Sequence, residues 1–198
     1  PDGIEAVVLG NEVLDAMPVQ LLAYDGRTWR ERGVALDAAG TLVFSDRPTS
    51  LRPPIEAEFF PGTVTEIHPQ AEAFMRTLAE RLQRGAAFFI DYGFPEAEYY
   101  HPQRHMGTVM CHRGHRADAD PLVEVGLKDI TAHVNFTGMA LAAQEAGLSV
   151  LGYGSQARFL LNCGLAQLME QAELPQRAQA HKLIMEHEMG ELFKVIGL

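Results

Sequence analysis

Asn11, Glu12 and Asp15 stand together at the end of an apolar run, "VVLGNEVLDAMPV", residues 7–19. An amide followed by two carboxylates can hold a cationic group, because carboxylates accept the parallel N–H donors of a guanidinium two at a time. The same residues could instead cap a short helix or face solvent. Asp91 and Tyr92, in "AAFFIDYG" (86–93), stand in the same relation to a second apolar run. A carboxylate there can order a site, hydrogen-bond a substrate, or close a strand-end turn. In "DITAHVNF" (129–136), Asp129, Thr131, His133 and Asn135 alternate with Ile130, Ala132 and Val134. If extended, that segment is polar on one face and apolar on the other. It reads as the wall of a substrate groove with His133 a proton acceptor or hydrogen-bond donor, or as a half-exposed edge strand.

A metal site is the competing chemistry. "HPQRHMGTVMCHRGH" (101–115) holds His101, His105, Cys111, His112 and His115, donors that suit zinc. Arg104, Arg113 and Arg116 are interleaved with them or follow them, and no second half-site matches, so no metal is expected.

The elements that must position these residues are legible from periodicity. "IEAVVLGN" and "AAFFIDYG" read as buried parallel strands, with "EVLDAMP" a short helix stopping at Pro18. Gln20 to Asp46 reads as a hairpin or meander turning at Asp25-Gly26 and Ala39-Gly40 and anchored by Trp29; the proline-rich 47–62 reads as a connector. Phe74, Met75, Leu78, Ala79 and Leu82 make one helical stripe, with Pro69 in its first turn and Gly85 at its C′ position. Phe94 to Asp129 is irregular by pattern, a long loop of the kind usually kept for function. A helix ending at Gly147, a strand over "LSVLGYG", helices over 156–170 and 175–188, and a strand in "ELFKVIGL" complete the reading. Phe159, Leu160, Cys163 and Leu168 are read as a core-facing helix surface. Alternating strand and helix predict an α/β fold.

The 198 residues are 47% hydrophobic and 21% charged, the composition of a globular domain. With 26 acidic against 16 basic residues and a formal charge of −10, a nucleic-acid partner is not expected. No apolar run approaches the roughly 20 residues of a membrane span, so neither is a membrane. Two cysteines make no disulfide framework and point to a reducing compartment, the cytoplasm by default. The chain opens "PDGIEAVVLG", entering a strand almost at once. That reads as the C-terminal part of one domain, whose open sheet edge favours self-association or a homo-oligomer.

Six stretches, "GNEVLDAMPV", "FIDYG", "GTVMCHRGHRADADPL", "KDITAHVNFTGMA", "GYGSQARFLLNCG" and "EMGELFKVIGL", run in order along nearly the whole chain. Together they resemble the MidA family of S-adenosylmethionine-dependent methyltransferases. The resemblance implies kinship with its mitochondrial members, protein arginine methyltransferases that help assemble respiratory complex I, and hence the mitochondrial matrix if the source is eukaryotic. It implies a class I, Rossmann-like methyltransferase sheet, here partial, with a β-rich insertion over 20–66 and a helical insertion over 155–190. The implied cofactor is S-adenosylmethionine and the implied partner a protein substrate. On that reading Asn11 contacts the cofactor, Glu12, Asp15 and His133 are catalytic, and Asp91, Tyr92, Asp129 and Thr131 bind substrate. A non-catalytic assembly factor that retains the fold is the alternative.

Overall fold

The computed structural model describes residues 3–114 and 116–198; His115 lies outside them. In chain order the first elements are β1 (Ile4–Asn11), β2 (Gln20–Tyr24), β3 (Trp29–Leu36), β4 (Leu42–Pro48), β5 (Val64–Ile67), α1 (Pro69–Arg81) and β6 (Leu82–Phe94). There follow α2 (Glu96–Tyr99), β7 (Met110–Arg113), β8 (Arg116–Asp118), β9 (Asp129–Thr131), β10 (Val134–Asn135) and α3 (Phe136–Glu145). The last are β11 (Gly152–Ser155), α4 (Gln156–Asn162), α5 (Leu165–Gln171), α6 (Leu174–Ile184) and β12 (Phe193–Gly197). The chain is mixed α/β and divides into two compact units.

The first unit is Pro1–Leu14, Phe74–Gly93 and Met139–Leu198. Its sheet runs β1-β6-β12-β11. The two apolar runs are neighbours and parallel, with Val7 opposite Ala86 and Asn11 opposite Ile90. β1 ends there, whereas β6 runs on to Phe94. β1 is the edge of this sheet, so Val7 and Leu9 are exposed and the strand is not buried as expected. β12 lies antiparallel to β6, and β11 antiparallel to β12, so β12 alone runs against the others. Ile90, Phe193 and Val195 form a core cluster with Tyr92, Phe159 and Met189 packed on it.

The stripe of α1 is real: Ala71, Met75, Leu78 and Leu82 are buried, and Phe74 meets Phe89 edge-on at 5.7 Å. Its expected cap is not. The helix stops at Arg81 and the strand starts at Leu82, so Gly85 lies inside β6 at φ 143°. A Cβ there would lie 1.7 Å from the Ala6 carbonyl oxygen, and close approach of two strands, not helix termination, explains the glycine.

Two further departures lie in this unit. The single helix expected over 156–170 is two, divided at Gly164, whose φ of 94° no regular helix accommodates. Cys163 and Leu168 are exposed, so of the four expected core residues Phe159 joins the cluster and these two do not. The strand expected over "LSVLGYG" begins only at Gly152. The end of α3, by contrast, follows the sequence. Leu148 N–H donates to Ala143 and Gly147 N–H to Gln144, the double closure that a glycine at φ 99° allows.

The second unit is Asp15–Ala73 and Phe94–Gly138. β4-β3-β2-β5 form an antiparallel sheet. Trp29 is buried beside Tyr24 and Phe59, with ring centroids 5.0 and 4.9 Å away, the anchor the sequence suggested. The supposed loop 94–129 is partly ordered into α2, a 3-10 turn at Pro102–Arg104, and a three-stranded sheet in the order β8-β7-β9. These strands are three or four residues long, too short for alternation to register. The polar face expected over 129–135 is broken as well. The ladder ends at Thr131, Asp129 and Ile130 are both exposed, and Thr131, Ala132, Val134 and Asn135 are all buried. Asn135 accepts from Gly138 N–H at 3.2 Å, so it caps α3.

Candidate functional site

At the carboxyl end of β1 the chain turns sharply. Glu12 sits at φ 51°, a region non-glycine residues rarely occupy, and its N–H donates to Ile90 O at 2.9 Å. The next two donors are taken by one side chain: Asp91 Oδ2 accepts from Val13 N–H at 3.2 Å and Leu14 N–H at 2.9 Å. Asp91 Oδ1 accepts from Tyr92 N–H at 3.0 Å, and the residue is fully buried. Residues 12–17 consequently form bends and turns, not the expected short helix. Asn11 and Glu12 are left exposed, the Asn11 amide donating to Glu12 Oε1 at 3.3 Å. The structure thus gathers Asn11, Glu12 and Asp91 on one rim, with Asp91 as the brace. Tyr92 turns aside; its ring packs edge-on against Phe193 at 5.5 Å.

The remaining sequence-selected residues lie in the second unit. Asp15 is buried, and its carbonyl accepts from Ala132 N–H at 2.9 Å, which ties the Asp15 segment to the residue after Thr131. Both Asp15 and Thr131 line a cavity of about 570 Å³. Asp129 is exposed and outside that lining. His133 is held by its backbone, N–H donating to Thr108 Oγ1 at 3.1 Å and O accepting from His68 Nε2 at 3.0 Å. Its ring stacks on Phe94 at 5.3 Å and 19°, and the Arg104 guanidinium lies 3.6 Å from the centre of that same Phe94 ring. Burial, and then the Arg104 charge, lower the His133 pKa from its ordinary value. The imidazole is therefore neutral near pH 7, and the same two causes oppose its protonation.

Sequence reasoning missed a buried polar network behind these residues. Glu66, 1% exposed, accepts from Tyr99 OH at 2.9 Å, Thr108 N–H at 2.7 Å, Thr108 Oγ1 at 3.2 Å and Val109 N–H at 3.2 Å. Burial raises its pKa, with the four donors pulling the other way. His68 must carry its proton on Nε2 to donate to His133 O, and its Nδ1 is buried without a hydrogen-bond partner. Burial pushes its pKa down to about 4. The available signal was the pair Glu66 and His68 at alternate positions of "VTEIH", charge-bearing residues in an otherwise β-type run. Among the described residues no group of three or more His, Cys, Asp or Glu is placed to hold a metal ion, and no helix is long and apolar enough to cross a membrane.

Comparison with known proteins identifies the relatives of this chain. A family model described as "Putative S-adenosyl-L-methionine-dependent methyltransferase" matches residues 1–154. Two curated relatives are named protein arginine methyltransferase NDUFAF7 homolog, mitochondrial. The one from Caenorhabditis elegans is 25% identical and the one from Drosophila melanogaster 30%, each match covering all of this chain and 48% of the relative. The chain thus spans about half the length of the curated relatives it matches. Two crystal structures from Burkholderia thailandensis are 53% identical, one of them bound to S-adenosyl-homocysteine. They superpose with TM-scores of 0.93 and 0.94 over 100% of this chain and 54% and 56% of theirs. With more than half of its length matched by the family model, the chain belongs to this family of S-adenosyl-L-methionine-dependent methyltransferases.

Proposed function

We propose that this protein transfers the methyl group of S-adenosylmethionine to an arginine side chain of a protein substrate, on a class I methyltransferase sheet. The observation that supports it most is the rim: an amide and a carboxylate exposed at the carboxyl end of β1, beside its parallel neighbour β6, where open α/β sheets bind ligands. The Asn11 amide fits the cofactor, since an amide complements hydroxyl and ammonium groups, and the Glu12 carboxylate is left for the acceptor. When bound, the cofactor supplies an electrophilic methyl group. Asn11 would contact it. Glu12 accepts from the acceptor guanidinium, whose nitrogen must be aligned for an in-line attack. Thr131, on the cavity wall, contacts the substrate chain. Asp91 acts through the turn it braces and is a positioning residue. A reducing compartment, cytoplasmic or the mitochondrial matrix in a eukaryote, suits two cysteines that are unbridged.

Calorimetric titration of the full-length protein with S-adenosylmethionine, followed by mass spectrometry of methylated arginine in a peptide, tests the proposal. Micromolar binding and arginine-localised methylation are the expected results. Absence of binding at high micromolar concentration would leave a scaffold that keeps the fold. Within the enzyme, Glu12→Gln should lower transfer by roughly ten-fold or more while sparing cofactor affinity. Equal loss of both would make Glu12 a cofactor ligand or a structural residue.

A further inference from the structure

The cavity in the second unit has two apolar walls that the catalytic reading does not use. Val34, Leu42 and Phe44 line it from the β3–β4 ladder, and Leu122, Val125 and Ile130 from the segment 122–130. Val34 and Phe44 face each other directly across the β3–β4 ladder, so they share one face of that sheet. Val34 is 54% exposed, Phe44 41%, Val125 61% and Ile130 47%. Four large apolar side chains lining one cleft, all this open to water, mark a surface that a partner covers. At about 570 Å³ the space matches sites that take a ligand or a few side chains.

The charges around it narrow the occupant. Arg32 is held by Asp46 through two hydrogen bonds of 2.8 Å, and Glu31 by Arg47 at 2.9 Å. Both pairs bridge β3 and β4, so these charges are matched within the wall and do not oppose an apolar side chain. Asp15, the third charged lining residue, contributes a carboxylate, the sign that a segment carrying an arginine complements. The strand order also narrows the choice. β4 ends its sheet, which leaves one backbone edge to pair with an extended chain. Side chains of a strand added there alternate, and every second one would continue the face that bears Leu42 and Phe44.

We infer that this cleft is a recognition site for an extended segment of the protein substrate, apolar at alternate positions and added as a strand along β4, beside the arginine that is methylated. The inference rests on the proposed protein substrate, and its test is separable from that proposal. The probe is a fluorescein-labelled peptide of alternating serine and valine around one arginine, compared with its all-serine counterpart, both titrated against the full-length protein by anisotropy. Cofactor binding is measured in parallel by calorimetry. The valine peptide should bind roughly ten-fold more tightly or better, and Phe44→Asp and Val125→Asp, both in the lining, should each abolish that preference with cofactor affinity unchanged. Methylating alternate backbone nitrogens of the valine peptide should abolish binding in one register and spare it in the other. Equal binding of the two peptides, a preference that survives both substitutions, or loss that is the same in both N-methyl registers would overturn the inference even if arginine transfer is confirmed. A dimer that Phe44→Asp converts to monomer would overturn it too, since the cleft would then be a contact between copies. A valine preference in a protein that fails to bind S-adenosylmethionine would uphold the cleft and sink the methyltransferase proposal.

Discussion

Glu12 is held in an unfavourable backbone region by its surroundings. A non-glycine residue at φ 51° costs on the order of 1 kcal/mol, and here three backbone N–H groups, one of them to Ile90 and two to Asp91, hold it. Asp91→Asn would offer those donors a weaker acceptor. We expect about 1–3 kcal/mol lower stability in urea titration, and a transfer rate that falls with it while the cofactor contact at Asn11 persists. His68 gives a pH signature. Its folded-state pKa of about 4 lies below the ordinary 6.5, so as pH falls the unfolded chain takes up a proton that the folded one refuses. Stability is complete above pH 6.5 and drains between 6.5 and about 4, by on the order of 3 kcal/mol. Urea midpoints of wild type and His68→Gln, compared at pH 7 and pH 5, check this. The wild type should lose more on acidification, and equal losses would show that His68 is not the group that titrates.

Among the elements, those with long, one-sided periodicity were readable and those fixed by a distant partner were not. The stripe of α1 spans three turns, enough for burial of one face to dominate, and the apolar run of β6 is the buried strand it was read as; β1, equally apolar, is an edge strand and not buried. Asp91 looked like a strand-end carboxylate because its partners, Val13 and Leu14, are remote in sequence. The turn at 12–17 was misread as helix for the same reason: local propensity favours a helix there, and a carboxylate from β6 decides otherwise. Gly85 is the clearest case. Placed after an amphipathic stripe, a glycine reads as a cap, but the constraint is Ala6 on the neighbouring strand. Gly85→Ala would force a Cβ into the Ala6 carbonyl and a side chain into a left-handed φ. A loss of about 3 kcal/mol or more is expected, measured as a fall in thermal midpoint, whereas Gly40→Ala, with nothing within 4 Å, should cost only the backbone strain of its positive φ.

At the scale of the whole molecule, β1 ends its sheet as described and carries Val7 and Leu9 at 75% and 68% exposure. An unpaired edge with exposed apolar side chains is prone to pair with another copy. Expressed by itself, the 198-residue chain should therefore self-associate in sedimentation, and Val7→Lys with Leu9→Lys should shift it toward monomer. A sharp monomeric unfolding transition of the unaltered chain would contradict this. What the sequence determined unaided was whatever a contiguous pattern encodes: the buried run of β6, the α1 stripe, the Gly147 helix end, the Trp29 anchor, and a family resemblance carried by six ordered stretches. What only tertiary structure decided was which groups share a neighbourhood. Pairing β1 with β6 put Asp91 beneath Glu12, and packing sent Tyr92 into the core and left Asp129 in solvent. The folding of the second unit opened a cleft between Phe44 and Val125. Patterns report the face a residue presents, because burial is a property of its own element; a partner far along the chain depends on the path that brings it back, which no local period records.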